Sequence, residues 1–386
     1  GVVCEALRGL SALQALKLWQ CDMSGESECL CALDCFPQLK YLCVGDCKLG
    51  PVHMQTLTDV VPHLQWLDVS LNTQLGDEGT EALCVYMDKS SDLLGLRVEG
   101  CELSVKGVKC LCTSAQQCQQ LKVLTLAGNK LGGAVRCVAD LLHTSHLQQL
   151  DIERCGVSAT ETCTLLAALD NNTTVQWLDL SNNVLNTEQF GSKLSDALSK
   201  NKHLQALVLW NCKLTKKSLD LIVSSLKHNN TLKLLDVSYN QCVCVSHVES
   251  LLLKSHLQWL GLYSCGLDSG EWRQVGRALV ASPHLLGCYV GEEGREEELG
   301  ALLEVLSEHV PTGALQYLLV WAKRDKVSVS HLQRLHQSLS AYLVNHMVPL
   351  YSLSGLRYNA LPTDIRDWLY TCLLYTSDAA DDSVYV

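Results

Sequence analysis

The chain has 386 residues, 47% of them hydrophobic, and a formal net charge of −11. That length can fill a large core or an extended array. The negative balance excludes a broad phosphate-binding surface, and with it nucleic acid as a partner, and favours neutral or basic proteins. No apolar run reaches the roughly 18 residues that a membrane span needs, so no membrane partner is expected.

In chain order, one phrase keeps returning. The template LxxLxLxx(N/C)xL starts at Leu13, Leu39, Leu64, Leu93, Leu121, Leu147, Val175, Leu204, Leu232 and Leu257, with weaker copies at Leu285 and Leu315. Successive starts lie 25 to 30 residues apart, the long end of the leucine-rich-repeat period. The first half of each unit alternates, as in Leu178-Asp179-Leu180, and alternation predicts a short strand. The second half changes period. Phe190, Leu194 and Leu198 fall at i, i+4, i+8, and Leu219, Ile222 and Leu226 at i, i+3, i+7, each one face of a helix. Such a unit buries little alone, so neighbours must stack. The predicted fold is an α/β leucine-rich-repeat solenoid of about 12 repeats, a horseshoe with a parallel sheet inside and helices outside. The array is expected over residues 1–325.

One polar position is fixed in every strong copy. It is Asn at 72, 129, 183 and 240, and Cys at 21, 47, 101, 155, 212 and 265. From Cys47 the two alternate strictly, so the true unit is a pair of repeats. The position turns inward where the strand ends, and backbone groups there need partners. Asn offers two donors and an acceptor, Cys one weak donor in less volume. A structural role is expected for both.

These alternating repeats resemble the ribonuclease-inhibitor-like class of leucine-rich repeats. Phrases such as NNTTVQWLDLSNN (171–183) and HNNTLKLLDVSYN (228–240) resemble the repeat regions of cytosolic NOD-like receptors. The resemblance implies a non-enzymatic protein–protein interaction scaffold: the ligand-sensing or autoinhibitory repeat region of an innate immune receptor. Oligomerisation would then need domains upstream of Gly1, which does not begin with Met. The alternative is a stand-alone ribonuclease-inhibitor-like protein that holds a basic partner.

Cysteine is abundant, at 21 residues, but six thiols recur at one depth of the stack rather than pairing off, which favours a reducing, cytoplasmic compartment. The sequons at Asn171, Asn172 and Asn229 would then go unused. Cys29, Cys31, Cys35, Cys43 and Cys47 cluster densely, but Cys47 is already the fixed position of its repeat, so structural thiols are expected and no metal. His63, His146, His203, His256 and His284 each precede the first Leu of a repeat, which makes them a repeat position rather than a converging site. No phosphate-loop, dinucleotide, metalloprotease or hydrolase signature is present, so neither a cofactor nor a catalytic residue is expected.

Strand residues flanking the buried leucines point to the concave side. They give Trp19, Tyr41, Trp66, Trp177, Trp210, Trp259, Tyr263, Tyr289, Tyr317 and Trp321, interleaved with Asp68, Asp151, Glu153, Asp179 and Asp236 and only a few cations (Lys17, Arg97, Arg154). Aromatics on an open surface are the usual anchors of a protein interface, and acidic neighbours favour a basic ligand. The expected partner site is this face, with Trp66, Trp177, Trp210 and Trp259 as anchors.

Past residue 325 the repeat fades. Leu332, Leu335, Leu339 and Leu343 share one helical face and predict a capping helix within residues 326–371. Residues 347–371 fit no repeat. The phrase CLLYTSDAADD is expected to be a translated sequencing-library adaptor, which sets residues 372–386 apart as a tail outside the fold.

Overall fold

The structure, a computed structural model, describes residues 10–25, 28–292, 297–309, 314–315, 317–321 and 341–345. The chain divides into two compact units, Gly1–Leu185 and Asn186–Val386.

The first unit carries strands β1 (Ala15–Lys17), β2 (Tyr41–Cys43), β3 (Trp66–Asp68), β4 (Gly95–Arg97), β5 (Val123–Thr125), β6 (Gln149–Asp151) and β7 (Trp177–Asp179). Between them run helices α1 (Glu28–Cys31), α2 (Pro51–Val60), α3 (Gly76–Lys89), α4 (Val105–Gln117), α5 (Val135–Thr144) and α6 (Ala159–Leu169). Each strand pairs in parallel with the next at equivalent positions, for example Leu67 with Leu96 and Leu96 with Leu124. The second unit repeats this plan. Its strands are β8 (Ala206–Val208), β9 (Leu234–Asp236), β10 (Trp259–Tyr263), β11 (Gly287–Gly291), β12 (Tyr317–Trp321) and β13 (Ala341–Asn345). Its helices are α7 (Glu188–Lys200), α8 (Lys216–Leu226), α9 (Val245–Lys254), α10 (Ser269–Ala281) and α11 (Glu298–Glu308).

Every one of the twelve expected repeats opens a strand two residues after its first Leu or Val. In β2 to β9 the central Leu is buried, as are the helix residues spaced to meet it, such as Phe190, Leu194 and Leu198 in α7. The apolar core therefore fills the layer between strands and helices. One expectation is corrected: Leu343 lies in β13, paired in parallel with β12, not on a capping helix. Ala341–Asn345 reads AYLVN, whose aromatic and β-branched residues suit a pleat, and tertiary pairing overrides the leucine spacing. The rest of that expected helix, and the adaptor-like tail, lie outside the described residues.

The fixed Asn stitches repeats together. Asn72 Oδ1 accepts from the N–H groups of Cys47 and Leu49, both at 2.9 Å, while Nδ2 donates to the carbonyls of Val44 (2.9 Å) and Val69 (2.7 Å). Asn129 repeats this on Cys101, Leu103, Val98 and Leu126. The Cys does less. Cys47 Sγ donates to Leu18 and Gly45 carbonyls, and Cys101 Sγ to those of Val69 and Glu99. Both kinds reach back to the preceding repeat, so the exchange of amide for thiol changes the number of bonds and not their direction.

Immediately before each fixed residue stands one in the left-handed region: Gln20, Asp46, Leu71, Gly100, Gly128, Arg154, Asn182, Asn211, Tyr239 and Ser264, with φ between 50° and 66°. Eight of these ten are not glycine, a conformation that costs about 1 kcal/mol or more. Their N–H groups extend the ladder beyond the strands: Leu71 donates to Glu99 O at 2.6 Å, and Tyr239 to Tyr263 O at 2.7 Å.

A second asparagine series lies at the other end of the strands. Asn172 Nδ2 donates to Leu142 O, and its Oδ1 accepts from Thr174 and Val175 N–H. Asn229 does the same with Leu198 O, Thr231 and Leu232. Two of the three sequons are thus buried structural residues, occupied by the fold itself.

Candidate functional site

The face of each sheet away from the helices is built by the residues that alternate with the core leucines. In the first unit it carries three rows along the strands: Tyr41, Trp66, Gly95, Val123, Gln149, Trp177; then Lys17, Cys43, Asp68, Arg97, Thr125, Asp151, Asp179; then Trp19, Gly45, Ser70, Glu99, Glu153, Ser181.

Several expected anchors are packed on neighbouring strands rather than open. Trp66 covers Gly95, where an added Cβ would lie 2.1 Å from the ring, and Trp19 covers Gly45 in the same way. In the second unit Trp259 covers Gly287. Trp177 and Trp259 are each only 6% exposed, and Tyr263 and Tyr289 are buried too. The expectation that these four offer open apolar surface is therefore corrected: the Trp259 ring lies down over Gly287, which leaves room for it by lacking a side chain, and Tyr263 and Tyr289 stack on each other. Tyr41 is 47% exposed, while Trp19, Trp66 and Trp210 are half-buried. Lys17 Nζ stands 4.9 Å over the Trp19 ring. Tyr317 and Trp321 lie on β12, in line with Gly287 and Gly291 of β11.

The aspartates are also committed. Asp68, Asp151, Asp179 and Asp236 are buried, and the first oxygen of each accepts the N–H two residues on, at 2.8 to 3.0 Å. Their first task is to close the strand end. Burial weakens the expected negative field. It pushes Glu99 up to about 7, and it holds the Asp151 carboxyl well above its ordinary range, helped by Asp179 and Glu153 beside it. Asp236 is likewise raised by burial. Buried Arg97 lies 3.4 Å from Glu99 and 3.9 Å from Asp68, and Arg154 reaches Glu99 at 3.4 Å.

Asp151, Glu153 and Asp179 bring carboxylate oxygens within 4.8 Å of one another, the one such three-ligand group among the described residues. Asp151 and Asp179 already accept backbone N–H groups, and Glu153 accepts from Asn182 Nδ2 at 2.7 Å. Of the dense thiol cluster, Cys31 and Cys35 are exposed while Cys43 and Cys47 are turned to Asp68 and to backbone carbonyls, so they do not converge. The five repeat histidines stand in the turns before the strands, and His256 stacks on His284.

The second unit contains a feature that alternation alone does not reveal. Trp210 meets Tyr239 edge-on at 4.8 Å, Tyr239 meets Tyr263 at 5.2 Å, and Tyr263 stacks on Tyr289 at 5.4 Å. This is a continuous aromatic rail that runs from the carboxyl ends of β8, β9 and β10 to the middle of β11. Tyr239 occupies the left-handed position before Asn240, one residue out of the strand alternation, and for that reason the sequence expectation missed it.

Known proteins agree with this geometry. A family model described as "Leucine Rich repeat" matches residues 62–84. The ribonuclease inhibitor of Sus scrofa is 33% identical over 239 residues, 60% of this chain and 51% of that protein. NACHT, LRR and PYD domains-containing protein 14 of Mus musculus is 30% identical over 231 residues, 57% of this chain and 23% of that protein. This is a leucine-rich-repeat chain similar to the ribonuclease inhibitors. Its repeats resemble those of NACHT-containing receptors as well as those of the inhibitors. Among solved structures, a chain of the yeast Rad7 and Elc1 complex superposes with a TM-score of 0.52 at 17% identity, covering 89% of this chain and 86% of that one. The leucine-rich-repeat protein LegL7 from Legionella pneumophila gives 0.51 at 14% identity, covering 84% and 98%. Both likenesses concern the fold alone. The chain spans about half the length of the ribonuclease inhibitors it matches and about a quarter of the NACHT proteins. No helix among the described residues is long and apolar enough to cross a membrane.

Proposed function

We propose that this leucine-rich-repeat scaffold is the ligand-sensing or autoinhibitory repeat region of a NOD-like receptor, working in the cytoplasm. In this reading it holds a protein partner on its helix-free face. The observation that carries the binding reading is the aromatic rail of the second unit. Trp210 and Tyr239 are half-buried, so their rings have surface left to cover, and the buried Tyr263 and Tyr289 hold them in line. Rings fixed by their neighbours lose little conformational freedom on binding, which favours them as anchors. In the first unit the accessible groups are Tyr41, Trp66, Trp19, Lys17, Glu153 and Arg154. They form a mixed surface, less acidic at neutral pH than its carboxylate count suggests, because burial pushes Glu99 up to about 7 and holds the Asp151 carboxyl well above its ordinary range.

A second reading is supported by the 33% identity to the porcine ribonuclease inhibitor and by buried, unoxidised thiols such as Cys47, Cys101, Cys155 and Cys265. Titration of a pancreatic-type ribonuclease with the purified chain separates the two. The receptor reading predicts full residual ribonuclease activity at several equivalents of chain. Loss of activity with a one-to-one end point would replace it with the inhibitor reading.

A further inference from the structure

At the start of α9 the second unit contains a linear array of side chains that the repeat plan does not require. Cys244, the residue before the helix, places Sγ 3.2 Å from Nδ1 of His247 and 3.2 Å from Ser246 Oγ. Nε2 of the same imidazole lies 2.7 Å from Asp220 Oδ1 on α8. His247 is buried, Cys244 is half-buried and Asp220 is exposed. The backbone N–H of Cys244 also donates to Nδ1, at 3.3 Å. An imidazole nitrogen that accepts an N–H carries its lone pair, so the ring hydrogen sits on Nε2 and is donated to Asp220. The lone pair of Nδ1 is thereby turned toward the thiol.

Helix capping explains the histidine but not the rest. In α2 the equivalent His53 accepts the Gly50 N–H on Nδ1 at 3.0 Å, and its Nε2 meets the Met23 carbonyl at 2.9 Å. There the cap residue has no side chain and the far partner is a neutral carbonyl. Of these two helices, α9 alone has a thiol on one side and a carboxylate on the other to complete a nucleophile–base–orienter chain. The sulfur stands at the amino end of a ten-residue helix.

We propose that Cys244 is a base-activated nucleophile that undergoes thiol–disulfide exchange with small disulfides. His247 Nδ1 takes the Sγ proton, and the resulting imidazolium is stabilised by Asp220. The Cys244 thiolate attacks one sulfur of R–S–S–R, the S–S bond breaks, and a Cys244–S–S–R bond forms. The departing R–S⁻ collects the proton from His247. One disulfide is consumed and one is made, so no further oxidant is needed. Cys242, two residues upstream, provides a built-in reference: it is half-buried like Cys244, but burial pushes its thiol up to about 11.

The test incubates the intact chain with oxidised glutathione at neutral pH and follows each cysteine by peptide mass mapping. Cys244 should acquire glutathione at least about tenfold faster than Cys242. His247→Gln, whose amide oxygen can still accept the Cys244 N–H, should slow it about tenfold, and Asp220→Asn should slow it a few-fold. Disturbance of the helix end would instead raise labelling at Cys242, and in that case the exposed Asp220→Asn change, which leaves the cap in place, decides. Equal rates at Cys244 and Cys242 in the unaltered chain, or an Asp220→Asn rate equal to that of the unaltered chain, would overturn the proposal.

Discussion

At the scale of single residues, the fixed Asn and Cys differ in how much backbone each one satisfies. Asn183 accepts from Val157 N–H and donates to the carbonyls of Ile152, Leu180 and Ser181, all buried. Asn183→Leu strands at least two of these groups, at about 1–3 kcal/mol each. Denaturant unfolding should therefore show a loss of about 3 kcal/mol or more. Cys101→Ala removes one weak donor and should cost about 1–2 kcal/mol. Equal losses would mean that the two residues are interchangeable. Glu99 makes a pH prediction. Its folded value, about 7, lies above its ordinary 4.5. Below 4.5 both states hold the proton and nothing is lost. As pH rises toward 7 the unfolded chain ionises first, so stability falls, by on the order of 3 kcal/mol in full. Glu99→Gln should flatten that part of the stability–pH curve, and an unchanged slope would contradict the burial of this carboxyl. The alternation of Asn and Cys was legible in the sequence because it is a matter of spacing. The protonation of Glu99 was not, because it depends on which neighbours burial brings.

Among the elements, the strands are short enough that one oversized side chain is felt by its neighbour. Trp66 rests on Gly95, and a Cβ at that glycine would enter the ring at 2.1 Å. Gly95→Val should cost about 1–3 kcal/mol and alter the near-ultraviolet circular dichroism of the tryptophans. Adding Trp66→Ala to Gly95→Val should recover part of the loss, giving a coupling of about 0.5 kcal/mol or more. Additive losses would show that the ring lies elsewhere. Strand positions were readable because the template fixes both the first Leu and the pleat. Three features were not. Tyr239 leaves the alternation through a left-handed residue, β13 carries a leucine spacing that also fits a helix, and the lying-down of Trp66 and Trp259 depends on glycines one repeat away.

For the whole molecule, stacked repeats make two kinds of surface available, and only one of them varies freely. The core leucines, the fixed Asn or Cys and the strand-closing aspartates repeat because the stack requires them. The remaining residues of the helix-free face carry no such structural duty, and the proposed partner site is placed there for that reason. Several of the face's rings are buried, Trp177 and Trp259 among them, which is why composition alone overstated the open aromatic surface. The most direct test uses the immobilised chain to capture partners from a lysate of its own source. It compares the unaltered protein, the pair Trp210→Ala with Tyr239→Ala, and Lys217→Ala on the exposed side of α8 as a control. The account predicts that partners bound by the unaltered chain are retained by the control and lost from the ring-deleted pair. Retention of the same partners by the pair, with its fold intact by circular dichroism, would contradict it.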